Sequence, residues 1–126
     1  MKNIVLISSL ALLITACGGE QPTKGAGGIP VSVPSDSASY GIVIKDVGFG
    51  KEALMVISQR VGKSGTSYAV REVNCFNSTF RYIGESEISA SDAMASAANY
   101  NAGNMATFTN GSISYYISKK ACQVGA

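Results

Sequence analysis

Thr66-Ser67-Tyr68-Ala69-Val70-Arg71-Glu72-Val73-Asn74-Cys75 is the stretch on which the fold turns. Successive side chains of an extended strand point to opposite faces, so Ala69, Val73 and Cys75 share one face and Tyr68, Val70 and Glu72 the other. Gly62-Lys63-Ser64-Gly65 precedes the run and a polar turn around Asn77-Ser78 follows it, both of them chain-reversal signals. Working outward, Glu52 to Val61 (EALMVISQRV) lies before the first turn and Thr79 to Glu85 (TFRYIGE) after the second. Tyr40 to Val47 (YGIVIKDV), rich in β-branched residues, comes earlier still and closes on Gly48-Phe49-Gly50. Strands joined by such short turns pair with their chain neighbours, which predicts an antiparallel meander of four to five strands.

Helix signals begin after the meander. Ser89-Ala90-Ser91-Asp92 offers two N-cap serines, with Asp92 in the first turn where the helix dipole favours negative charge. Ala90 to Tyr100 is alanine-rich, with Met94, Ala97 and Ala98 at helical spacing, and Gly103 stands where a helix would stop. Met94 reads most simply as a core contact. Met105 to Thr109 reads as a short strand or an irregular crossing. Ser112 to Cys122 (SISYYISKKAC) fits two periods: Ile113, Tyr115 and Ile117 alternate, while Ile113, Tyr116, Ile117 and Ala121 follow one helical face. Ser112 as a cap and Lys119-Lys120 in the last turn favour the helix. The fold class expected is therefore α+β, the meander carrying one or two helices on one face.

The amino end says where the chain lives. Lys2, an apolar stretch from Ile4 to Ile14, and Thr15-Ala16 before Cys17 make an export segment too short to span a bilayer, which needs roughly 20 apolar residues. Ile14-Thr15-Ala16-Cys17 resembles the lipobox of bacterial lipoproteins. That resemblance implies a signal peptide over residues 1–16, acylation of Cys17, and anchoring in the cell envelope by several fatty acids, since one chain alone binds marginally. Gly18, in place of an aspartate, resembles outer-membrane sorting. Residues 17–39 contain all three prolines and read as a tether, with 40–126 as one small domain. Ile29, Val31 and Val33 alternate within the tether, a pattern that also fits a short edge strand.

Three cysteines are present. With Cys17 acylated, Cys75 and Cys122 remain to pair in an oxidising compartment, pinning the last helix to the central strand. A domain this small has a marginal core and gains from such a staple.

Chemistry-bearing patterns are sparse. The chain has no histidine, which removes the commonest general base and metal ligand, and no Ser-x-x-Lys pair stands in for it. Gly62-Lys63-Ser64 has the tail of a phosphate-binding loop, but Ile57 to Val61 lacks the glycine that must precede it, so a hairpin turn is the better reading. Asp46, Glu72, Glu85, Glu87 and Asp92 show no calcium or zinc spacing. Ten basic and eight acidic residues give no basic stripe for nucleic acid. No cofactor and no catalytic residue is expected. Of six tyrosines, Tyr115 and Tyr116 are adjacent and cannot both face a core, so they are the candidate binding surface.

Cys75-Phe76-Asn77-Ser78-Thr79-Phe80-Arg81, with Gly111-Ser112 and Ala121-Cys122 far downstream, resembles the pattern of the surface-adhesin protein E family of small bacterial lipoproteins. The resemblance implies an antiparallel sheet with helices packed on it, no enzymatic activity and adhesion to proteins outside the cell. Together these features lead to the expectation of a lipid-anchored envelope protein with a non-enzymatic protein-binding domain. A surface-exclusion or immunity lipoprotein, and a structural accessory of an envelope complex, fit the same features. The protein partner and the oligomeric state are left open.

Overall fold

The computed structural model describes residues 25–46 and 50–123. The export segment, Cys17 and most of the tether lie outside the described residues. Six strands run in chain order across one sheet: β1 (Ile29–Val31), β2 (Ser39–Asp46), β3 (Leu54–Gly62), β4 (Gly65–Asn74), β5 (Thr79–Ser86) and β6 (Ala106–Thr107). Every neighbouring pair is antiparallel. Helix α1 (Ala90–Ser96) runs on into a 3₁₀ turn, Ala97–Asn99, and α2 (Ile113–Gln123) closes the fold. The α+β meander read from the sequence is thus the architecture found, and none of the helices among the described residues is long and apolar enough to cross a membrane.

Local chemistry explains the reversals. Gly62 pairs with Gly65 across Lys63 and Ser64, with Gly65 at φ 130°, so the phosphate-loop-like string is a hairpin turn. After β4, Asn74 Oδ1 accepts hydrogen bonds from the Phe76 and Asn77 amides, each 3.0 Å, and Ser78 takes a left-handed φ of 56°. An asparagine that bonds its own following backbone in this way makes the turn without a glycine. Ser89 caps α1 by accepting from the Asp92 amide at 3.0 Å, and Ser112 does the same for α2 from Tyr115 at 3.1 Å.

The two helices divide between the two faces of the sheet. Val31, Val33, Tyr40, Ile42, Leu54, Val56 and Val73 form one core with Ile117 and Ala121 of α2. Ile57 and Val70 form a second core with Ala93 of α1. Val56 and Ile57 are chain neighbours and therefore point to opposite sides. Register shifts leave Val43 and Ile83 without strand partners, and both pack into the α1 core, widening its apolar footprint. The sequence predicts one or two helices on one face, and the structure puts one on each, because alternation identifies two apolar faces but not which helix covers which.

Two further expectations are corrected. Ala93, not Met94, is the α1 residue buried on the sheet, and Met94 is 38% exposed. A Cβ on Gly84 would stand 2.5 Å from the Ala93 carbonyl oxygen, so α1 sits too close to β5 for a methionine to fit between them. The folded part also begins before Tyr40. Residues expected within the tether make β1, which pairs Ile29, Pro30 and Val31 with Ile42, Gly41 and Tyr40, and bury Val31 and Val33. Pro30 is tolerated because β1 is an edge strand.

At the far end, Cys75 and Cys122 form the disulfide anticipated from cysteine arithmetic, with Cα atoms 5.7 Å apart. It joins the end of β4 to the last turn of α2. Because α2 lies over β1, β2 and β3, it leaves the β4–β5 side of that face open.

Candidate functional site

Arg71 occupies the middle of the α2 face of β4, between Ala69 and Val73, where strand alternation calls for an apolar residue. It is 3% exposed. Its Nε donates to Ser114 Oγ at 3.1 Å, one terminal nitrogen to Ser58 Oγ at 2.8 Å and the other to Tyr82 OH at 3.0 Å. The guanidinium carbon also lies 4.7 Å from the centre of the Tyr82 ring. Tyr82 OH and Ser114 Oγ share a 3.1 Å hydrogen bond that closes the cage.

All of these partners are neutral. The ion pairs among the described residues are Arg60 with Asp36 at 3.4 Å and Arg81 with Glu72 at 2.8 Å, and neither touches Arg71. Burial lowers the Arg71 pKa, with Tyr82 pulling the other way, yet a guanidinium keeps its charge at neutral pH. Burying a charge without a counter-ion costs several kcal/mol, only part of which hydroxyl dipoles and a ring face recover. Ser114 lies in the first turn of α2, so the positive end of that helix dipole falls at the same place. Two sources of positive potential converge on one point with no carboxylate between them.

That point is on the wall of an open cleft of about 680 Å³ on the side of the sheet that α2 leaves bare. Tyr40, Arg60, Ser67, Tyr82, Glu85 and Glu87 line it with Arg71, while Ile113 marks the α2 end. The volume is within the range of small-ligand and side-chain binding sites. Arg60 differs from Arg71 in being neutralised: Asp36 Oδ2 faces its Nη2, and Tyr40 OH accepts from its Nε at 3.0 Å while donating to Asp36 at 2.7 Å. The Tyr40 hydroxyl is the main reason the Asp36 carboxyl is held below its ordinary pKa; burial, then Asp36, push Tyr40 upward.

Of the residues the sequence singled out, Cys75 and Cys122 are together and Cys17 lies outside the described residues. Tyr115 and Tyr116 are both half-buried on α2, their rings edge to face at 5.1 Å, and neither lines the cleft. Tyr116 packs against the α2 core and Lys119 Nζ stands 5.7 Å from the Tyr115 ring. Arg71 was not singled out at all. Its signal was an arginine flanked at i−2 and i+2 by Ala69 and Val73 on one strand face. Among the described residues no group of three or more metal-ligating side chains converges. No family model matches the chain, and neither a curated protein nor a solved structure matches it.

Proposed function

We propose that this chain is a lipid-anchored protein of the bacterial cell envelope, held at the outer membrane through Cys17, whose folded domain binds another protein without catalysing a reaction. The observation that carries the binding reading is the buried Arg71 charge, without a counter-ion among the described residues and standing at an open cleft. Arginine and tyrosine gathered in one concavity are the composition of binding hot spots, and Tyr82, 39% exposed, presents its ring there. The lipobox-like segment supports the anchor, and the resemblance to the surface-adhesin family supports a binding role.

Two experiments test this. Radiolabelled palmitate should enter the intact chain and be lost from Cys17→Ala; equal labelling of both removes the anchor. A photo-crosslinking amino acid at Ser67, on the cleft, should give one discrete protein adduct on intact cells. The same group at Met94, on α1 and the opposite face, should give none. Absence of an adduct from Ser67, or the same adduct from both positions, removes the protein-binding reading.

A further inference from the structure

Resting on that reading, we propose that the group recognised in the cleft is a single carboxylate, an acidic side chain of the partner protein, seated against Arg71. A guanidinium has five N–H donors, of which Arg71 directs one each to Ser114, Ser58 and Tyr82. One N–H on each terminal nitrogen is left over, and a pair of N–H groups on neighbouring nitrogens is what a carboxylate accepts side by side. The three existing hydrogen bonds hold the guanidinium plane in place before any ligand arrives, so little rotamer entropy is lost on binding.

The surroundings select among anions. Arg60 is already neutralised by Asp36, which leaves Arg71 as the guanidinium of the cleft with no carboxylate partner among the described residues. Glu85 and Glu87 also line the cleft, so its lining carries as many carboxylates as guanidiniums, and an anion of higher charge is repelled. One carboxylate is matched locally by Arg71; a phosphate dianion is disfavoured. Tyr82, 39% exposed, offers an aromatic surface beside the charge, suited to the apolar stem of an acidic side chain and the residues next to it.

The test uses the full chain, purified in detergent and immobilised, with three pools of end-blocked peptides whose flanking positions are randomised and whose central residue is glutamate, glutamine or phosphoserine. The glutamate pool should be retained about tenfold better than the glutamine pool, the ratio expected for one charge-assisted hydrogen-bonded pair. Arg71→Met should abolish the preference. Because that variant alters the core, Ser67→Glu supplies an independent arm: it places a carboxylate in the cleft from a partly exposed position, and should remove retention while leaving the melting temperature unchanged. Equal retention of the glutamate and glutamine pools, retention of none, or a preference for phosphoserine overturns the proposal, as does an unaltered preference in folded Ser67→Glu. Free glutarate displacing the pool as effectively as the peptides themselves would make the ligand a small dicarboxylate rather than a protein side chain, and so overturns the polypeptide part. A Ser67 crosslink on cells without glutamate preference would sink the carboxylate alone; glutamate preference without any crosslink would sink the protein-binding reading instead.

Discussion

Arg71 Nε donates a 3.1 Å hydrogen bond to Ser114 Oγ, tying the middle of β4 to the first turn of α2 across 43 positions of sequence. The disulfide ties the same two elements again, Cys75 to Cys122. From residue 71 to 75 a strand advances about 13 Å, and from 114 to 122 a helix advances about 12 Å. The two fastenings are therefore commensurate, and α2 is clamped near both ends. This geometry restrains the α2 wall of the cleft against sliding along the sheet.

Reduction of the disulfide, or Cys75→Ala with Cys122→Ala, should destabilise the domain. The bond spans 47 residues of sequence, for which the chain-entropy relation gives about 4 kcal/mol. Urea unfolding with and without reductant measures it, and a shift in midpoint below a few tenths of that size would show the clamp at Cys75 to be redundant.

Gly84→Ala should cost about 1–3 kcal/mol, the usual penalty for overpacking. The new methyl meets the Ala93 carbonyl oxygen at 2.5 Å and Ser96 Oγ at 2.9 Å, and Ser96 Oγ is itself the acceptor for the Glu85 amide at 2.9 Å. Thermal melting checks this, together with amide exchange in α1, which should accelerate there before it does in α2.

Ile117→Ala removes a fully buried side chain from the α2 core and should destabilise by about 2–5 kcal/mol. Ile88→Ala, at a position 77% exposed, should change stability by less than about 0.5 kcal/mol. Equal effects in a denaturant titration would mean that α2 does not cover the sheet as described.

Asp36 carries the acid dependence of the Arg60 end of the cleft. Its folded pKa lies below the ordinary 3.8, chiefly through the Tyr40 hydroxyl, so the folded state binds the proton less well than the unfolded one. The associated stability is fully present above the ordinary value and is lost as pH falls through the depressed one. Asp36→Asn should therefore melt below the parent at neutral pH, with the gap closing in acid as the pH falls below the ordinary carboxylate value of 3.8 and through the depressed one. Melting curves across that range test it; a gap that persists in acid would assign the effect to packing rather than charge.

Much of this protein was legible in its residues. Period-two runs between glycine and asparagine turns identified β2 to β5, because backbone alternation and turn chemistry are local properties. Ser89 was legible as a cap, and Cys75 with Cys122 followed from counting thiols. β1 was visible only as a brief alternation at Ile29, Val31 and Val33, since three residues beside a proline carry little periodic signal. The site was far less legible. Tyr115 and Tyr116 stood out because they are adjacent, yet one packs on the core and neither reaches the cleft.

The sequence by itself determined which segments extend, where they turn, which residues share a face and which sulfurs can meet, all of which depend on neighbours within a few positions. Only the tertiary structure decided that the helices cover opposite faces and that Arg71 is enclosed by Ser58, Tyr82 and Ser114 with no carboxylate among them. The reason is physical: the energy of a buried charge is set by groups that packing brings from distant strands and helices, and spacing along the chain carries no record of which groups those are.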